Sequence, residues 1–302
     1  MIKLFWNTHN QIKPNAKDKK IREKQELDYG WGQYHKKSSN QWIYEILKKI
    51  EYTIIDKETD LEKDDILIIV DSSVEEKNQL YTKLNLICSK IFLFHLGDEF
   101  GFHDLSVVYD NCDYIWRPFC SNKYFNNKKV KCIPIGYKSG VLYKEKNNRE
   151  FKWAFAGTPH KSSRHDLLFQ FSEIKPFFCH KTEKFDKKII SVEKMNDMLS
   201  STEFIPCPNG FFHPETYRVY EALECGCIPI VENTYKYYDR LFLNNPFIKV
   251  DKWKDSKAIL QGWGSDQIKK KRAEIIFWWK EEKNKIQDFI KEVAAKNVGE
   301  TE

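Results

Sequence analysis

Residues 204–231, FIPCPNGFFHPETYRVYEALECGCIPIV, join two short apolar runs through a polar loop and a helix-like segment. The first run, Phe204 to Cys207, ends in Pro208-Asn209-Gly210, a turn-forming triplet. The loop closes at His213-Pro214. Helical spacing follows from Glu215 to Glu224 until Gly226 stops it, and the second run is Cys227 to Val231. Strand, helix and strand in that order make a βαβ unit, which predicts a parallel sheet with helices packed on it. In such sheets ligands meet the carboxyl ends of the strands, beside helix N-termini. The loop 208–214, with Gly210 at its turn, lies at that edge.

The chemistry of the predicted helix is specific. Arg218 and Glu221 are three residues apart and share one face. A helix N-terminus carries free N–H groups and partial positive charge, and an arginine there adds a fork that matches phosphate. A carboxylate one turn on suits the vicinal hydroxyls of a ribose, and Thr216 can donate to phosphate or cap the helix. Phosphate beside ribose means a nucleotide. The same pair also fits an internal Arg–Glu contact on a solvated helix.

The series Thr216-x-Arg218-x-x-Glu221-Ala222-Leu223-x-x-Gly226-Cys227-Ile228-Pro229 resembles the donor-binding signature of exostosin-like glycosyltransferases, including bacterial and ribitol xylosyltransferase-like members. Other pieces agree in order: Phe94-His95-Leu96-Gly97-Asp98-Glu99, Ile133-Pro134-Ile135-Gly136-Tyr137, Phe155-Ala156-Gly157 with Arg164, and Leu199-Ser200-Ser201-x-x-Phe204. The resemblance runs over residues 91–235. It implies a GT-B fold, two Rossmann-like α/β domains facing a cleft, with a C-terminal helix crossing back. It implies a nucleotide-sugar donor, UDP being the expected nucleotide, and a glycan or lipid-linked acceptor in surface polysaccharide or glycoconjugate synthesis. Transfer is expected to invert configuration and to need neither a cofactor nor a divalent metal. Arg218, Arg164, Gly157, Gly210, Thr216 and Glu221 are the expected donor-binding residues, and Asp98 or Glu99 the expected catalytic base. A fucosyltransferase-like GDP-sugar enzyme and a binding module without turnover share parts of this pattern.

His95 to Glu99 follows a predicted strand directly, so it falls at a carboxyl end where a histidine and two acids suit acid–base work. Asp98 equally suits a helix cap. Gly157 also follows a strand, and the segment 157–164 leads into a helix with Lys161 and Arg164. That order fits a phosphate-cradling loop or an ordinary capped helix.

Apolar residues make up 41% of the 302, enough for packed cores, and a chain of this length predicts two of them. The pattern divides the chain into an acceptor-side domain at 1–148, a nucleotide-sugar domain at 149–264 and a helix at 265–302, with the polar run Lys144 to Glu150 as the linker. The net charge of +6 comes from scattered lysines among acids. It favours anionic substrates and peripheral contact with a membrane surface, and its diffuseness argues against nucleic acid. No apolar segment has the length of a membrane span and the N-terminus lacks signal-peptide character, so the expected location is cytoplasmic. None of the eight cysteines forms C-x-x-C, and most sit in apolar runs as small hydrophobes. Cys225-x-Cys227 lacks the second ligand pair that a metal site needs. The lysine-rich run 13–26 reads as a helix or loop, and Tyr29-Gly30-Trp31-Gly32 as a shaped loop.

Overall fold

In a computed structural model the described residues are 1–7, 36–146, 148–183 and 190–298. The run 13–26 and the cluster 29–32 lie outside them. The described residues form two units, one from 1–7, 36–135 and 284–298, the other from those between 136 and 283.

The first unit alternates strands and helices: β1 (Ile2–Trp6), α1 (Lys36–Leu47), β2 (Thr53–Ile55), β3 (Ile66–Asp71), α2 (Asn78–Ile87), β4 (Lys90–His95), α3 (Ser106–Asp110), β5 (Tyr114–Arg117), α4 (Asn122–Phe125) and β6 (Val130–Cys132). Its sheet is parallel throughout, in the order β2-β1-β3-β4-β5-β6. All six residues of β3 are buried. A strand covered on both faces reads as a continuous apolar run rather than an alternation, as Ile66-Leu67-Ile68-Ile69-Val70 does. Tyr81 and Leu84 of α2 pack with Leu67, Ile69, Leu93 and Ile115 in one core. Two cysteines depart from the expectation of small hydrophobes: Cys120 and Cys132 form a disulfide, Cα–Cα 5.9 Å. The other six are free thiols.

The second unit repeats the alternation: β7 (Phe151–Gly157), α5 (Arg164–Phe171), β8 (Phe177–Lys181), α6 (Val192–Ser200), β9 (Thr202–Cys207), α7 (Tyr217–Glu224), β10 (Ile228–Glu232), α8 (Tyr237–Leu241), β11 (Ile248–Val250) and α9 (Trp253–Gly262). The sheet is again parallel, in the order β11-β10-β9-β7-β8. From β7 the chain moves outward to β8, then returns past β7 to β9 and continues the other way. The loops after β7 and β9 therefore leave neighbouring strand ends in opposite directions, which opens a crevice at the carboxyl edge.

A last helix, α10 (Ser265–Val298), carries one apolar stripe in which Ile268, Ile275, Trp279, Ile290 and Ala294 are buried. Within the second unit Trp279 Nε1 and Lys283 Nζ both donate to Glu224 Oε2, at 2.9 and 2.8 Å. Within the first unit Phe289 packs on Tyr114, ring centroids 5.9 Å apart, and Gln287 Nε2 donates to the Glu45 carbonyl. No helix among the described residues is long and apolar enough to cross a membrane.

Candidate active site

The crevice between β7 and β9 gathers two arginines. Arg164 opens α5, which follows β7, and Arg218 lies in the first turn of α7, which follows β9. Both are half-buried. Arg218 Nη2 donates to the Ala156 carbonyl, and its guanidinium lies 5.0 Å over the Phe155 ring. Arg164 Nη1 donates to the Thr158 carbonyl at 3.0 Å, while its Nε is buried without a hydrogen-bond partner.

Gly157 separates the two cations. Its φ of +147° favours glycine, and a Cβ there would stand 3.2 Å from Arg218 Nη2 and 3.8 Å from Arg164 Nη1. Burial and the neighbouring Arg218 bring the Arg164 pKa down to about 10, against a smaller opposing pull from Glu232. Like charges held together and partly out of water are unfavourable unless an anion joins them. An anion lying between the two guanidiniums would relieve that repulsion.

The N-terminus of α7 adds to the site. Thr216 is its cap residue, in extended conformation, yet the side chain makes no cap bond and Oγ1 is buried without a hydrogen-bond partner. No acid occupies the first turn, so the positive end of the helix is uncompensated by its own residues. Glu221 is buried on the inner side of α7. It and Arg218 both act electrostatically on the buried Cys207 thiol at the end of β9, in opposite senses, which puts the two on one side of the helix.

The loop 208–215 is held on all sides. Asn209 N donates to Glu232 Oε2 and Asn209 Nδ2 to Thr234 Oγ1, both at 2.8 Å. Gly210 N donates to the His213 carbonyl at 2.9 Å. Glu215, which the sequence pattern includes in the helix, lies before it. Its carboxylate is buried and accepts from Tyr220 and Tyr237 hydroxyls at 2.5 and 2.7 Å, so the helix starts two residues later, at Tyr217.

Sequence reasoning missed Lys138. It is 7% exposed, and its Nζ lies 5.2 Å from the centre of the Tyr217 ring, at the head of the same helix. Its one local signal is a lysine between Gly136 and Gly140 in an otherwise apolar stretch.

The expected catalytic pair lies in the first unit, after β4, and its two acids have different surroundings. The Asp98 side chain is fully buried, with Oδ2 3.5 Å from Arg117 Nη2. Its φ is +58°, and Oδ1 accepts from Phe102 N at 3.2 Å, so it builds a turn rather than capping a helix. Glu99 is half-buried beside it. Arg117 is also fully buried and donates to the Asp98 carbonyl (3.1 Å), the Pro118 carbonyl (3.2 Å) and the Tyr109 hydroxyl (2.9 Å). His95 Nδ1 and the Tyr109 hydroxyl share a hydrogen bond of 2.8 Å, whose direction follows the tautomer of the ring. Burial, with Arg117 nearby, holds the His95 pKa well below the ordinary 6.5.

That arrangement has a pH signature. Below about pH 6.5 the unfolded chain takes up a proton on His95 that the native ring refuses, so stability falls as pH falls. The expected contribution approaches about 1.4 kcal/mol per pH unit. Urea unfolding of wild type and His95→Gln at about pH 7, 6 and 5 measures it, since glutamine does not titrate. Equal pH slopes in both proteins would remove His95 from the account.

The family model described as RXYLT1 C-terminal domain matches residues 137–298. Two solved structures of the Anabaena protein Alr3699/HepE are similar to this chain. The complex with UDP and glucose has a TM-score of 0.52 at 10% identity, over 98% of this chain and 100% of that one. The complex with UDP has a TM-score of 0.50 at 11% identity, over the same shares. An α1,3-fucosyltransferase structure aligns over 92% of this chain and 81% of its own, at 13% identity and a TM-score of 0.49. No curated protein sequence matches the chain. The two parallel α/β units and the long last helix are those of the GT-B fold, which the HepE likeness shows independently.

Proposed function

This chain belongs to the RXYLT1 C-terminal domain family, an exostosin-type group of glycosyltransferases, and we propose that it moves a sugar from a nucleoside-diphosphate donor to an acceptor hydroxyl. The observation that carries this reading is the pair of half-buried guanidiniums around Gly157, at the switch point of the second sheet. In our reading the diphosphate lies between Arg218 and Arg164, with Gly157 leaving room for it. The Thr216 hydroxyl and the α7 N-terminus reach the same anion. Gly210 shapes the loop over the donor, and Glu221 takes the ribose or sugar hydroxyls.

Breaking the glycosidic bond builds charge on the leaving diphosphate. Fixed donors already aimed there stabilise the transition state more than the ground state. Arg218, Arg164 and Lys138 supply that charge in place of a divalent cation. The acceptor belongs to the first unit, and a carboxylate there takes the proton from its hydroxyl. Of the two expected bases we assign this role to Glu99, because the Asp98 carboxylate is turned inward onto Arg117. A single base and direct attack give inversion of the anomeric carbon. UDP is the proposed nucleotide, and its presence in the similar HepE structure supports that choice.

A thermal-shift comparison of UDP, GDP and CMP with their common sugar conjugates tests the proposal, since a ligand of the native state raises its melting temperature. The expected result is a rise with UDP and UDP-sugars. A rise confined to GDP would overturn the nucleotide, and no rise with any nucleotide would overturn donor binding itself.

A further inference from the structure

The loop after Glu99 presents two phenylalanines to water. Phe100 is 47% and Phe102 81% exposed, and their rings stack, with centroids 5.7 Å apart and planes 25° from parallel. The backbone beneath them is fixed. Asp98, in left-handed conformation, accepts from Phe102 N through Oδ1 and from Gly101 N through its carbonyl at 3.2 Å. Gly101 between the rings has a φ of +68°, which a glycine adopts without strain. The Asp98 carboxylate is in turn held by the buried Arg117. Phe102 in particular gains little burial from being held in this turn, so a ligand that covers its ring would remove apolar surface from water without having to order the backbone.

Resting on the acceptor-side reading of this unit, we propose that Phe100 and Phe102 form the platform on which the acceptor's sugar ring lies. One face of a sugar ring carries C–H groups with partial positive charge, and it complements the negative face of an aromatic ring. The platform adjoins Glu99, so a sugar lying on it would bring its hydroxyls towards that carboxylate. The local charge selects this occupant over a lipid surface. Besides Asp98, which is buried against Arg117, residues 96–106 hold Glu99 and Asp104 and no lysine or arginine, and Lys123 is a nearby cation acting on Asp104. Anionic headgroups would be repelled where neutral hydroxyls are welcomed.

The test uses the full chain and its Phe100→Ala/Phe102→Ala variant. Saturation-transfer NMR with methyl glycosides of xylose, glucose and galactose at millimolar concentration reports sugar binding, and thermal shift with UDP reports the donor site separately. The expected result is saturation transfer to at least one glycoside in the wild type, an affinity about tenfold weaker in the variant, and the same UDP shift in both. Equal glycoside binding in the two proteins, or none in the wild type, would overturn the platform, and the UDP shift would still judge the donor site on its own. Pelleting with phosphatidylcholine–phosphatidylglycerol vesicles in the wild type, lost in the variant, would overturn the sugar in favour of a membrane.

Discussion

Arg218→Ala is expected to bind UDP about a hundredfold more weakly than the wild type while its ligand-free melting temperature moves little. Hydrogen bonds from a charged donor contribute about 1.5–3 kcal/mol each in mutational comparisons, and a guanidinium can offer a phosphate two of them. A hundredfold is about 2.7 kcal/mol, within that range. The folded chain without ligand loses the bond to the Ala156 carbonyl and the contact with Phe155. Against that loss, Arg164 is released from a like charge that lowers its proton affinity. The two effects oppose each other, so stability is spared while binding is not. Arg218→Lys keeps the charge and loses the planar fork, and its affinity should fall between the two. Titration calorimetry with UDP on the three proteins measures this series. Wild-type affinity in Arg218→Ala would remove this residue from the donor site.

The second large effect belongs to the first unit. Arg117→Ala removes the buried partner of Asp98 and leaves a carboxylate with no exposed side-chain surface and no compensating charge. It also strips a donor from the Tyr109 hydroxyl and the cation lying 4.0 Å over the Tyr124 ring. Breaking one side of a buried ion pair costs about 3–5 kcal/mol. Hydrogen exchange in β4 and β5 should speed up by roughly a thousandfold, because protection there reports the opening free energy of these strands. Adding Asp98→Asn should recover part of the loss. Asparagine removes the stranded charge, keeps an acceptor for Phe102 N, and tolerates the left-handed conformation. Unchanged exchange in Arg117→Ala would mean that the pair holds nothing together.

How much of this was legible beforehand follows from how local each signal is. Helix α5 begins at Arg164, where the segment after Gly157 is expected to lead into a helix, because a strand, a glycine turn and a helix start lie side by side in the chain. The strand–loop–helix order around residues 204–231 likewise put Arg218 and Thr216 at a carboxyl edge. Glu215 was misread as helical since one of its two buried partners, Tyr237, lies 22 residues away, outside the window that helical spacing uses.

By itself, then, the sequence determined the strand–helix alternation, its parallel pairing and the placing of Thr216 and Arg218 at one helix start, all of which arise from neighbours in the chain. Only the tertiary structure decided who meets whom. The return of the chain past β7 to β9 sets Arg164 against Arg218, from positions 54 residues apart (218 minus 164). Arg117, 19 residues on, turns Asp98 inward and leaves Glu99 beside it. Lys138 and the Cys120–Cys132 bond are settled the same way. Periodicity records whether a side chain leaves water; the identity of its partner depends on strand order and packing across the fold, which no window of sequence contains.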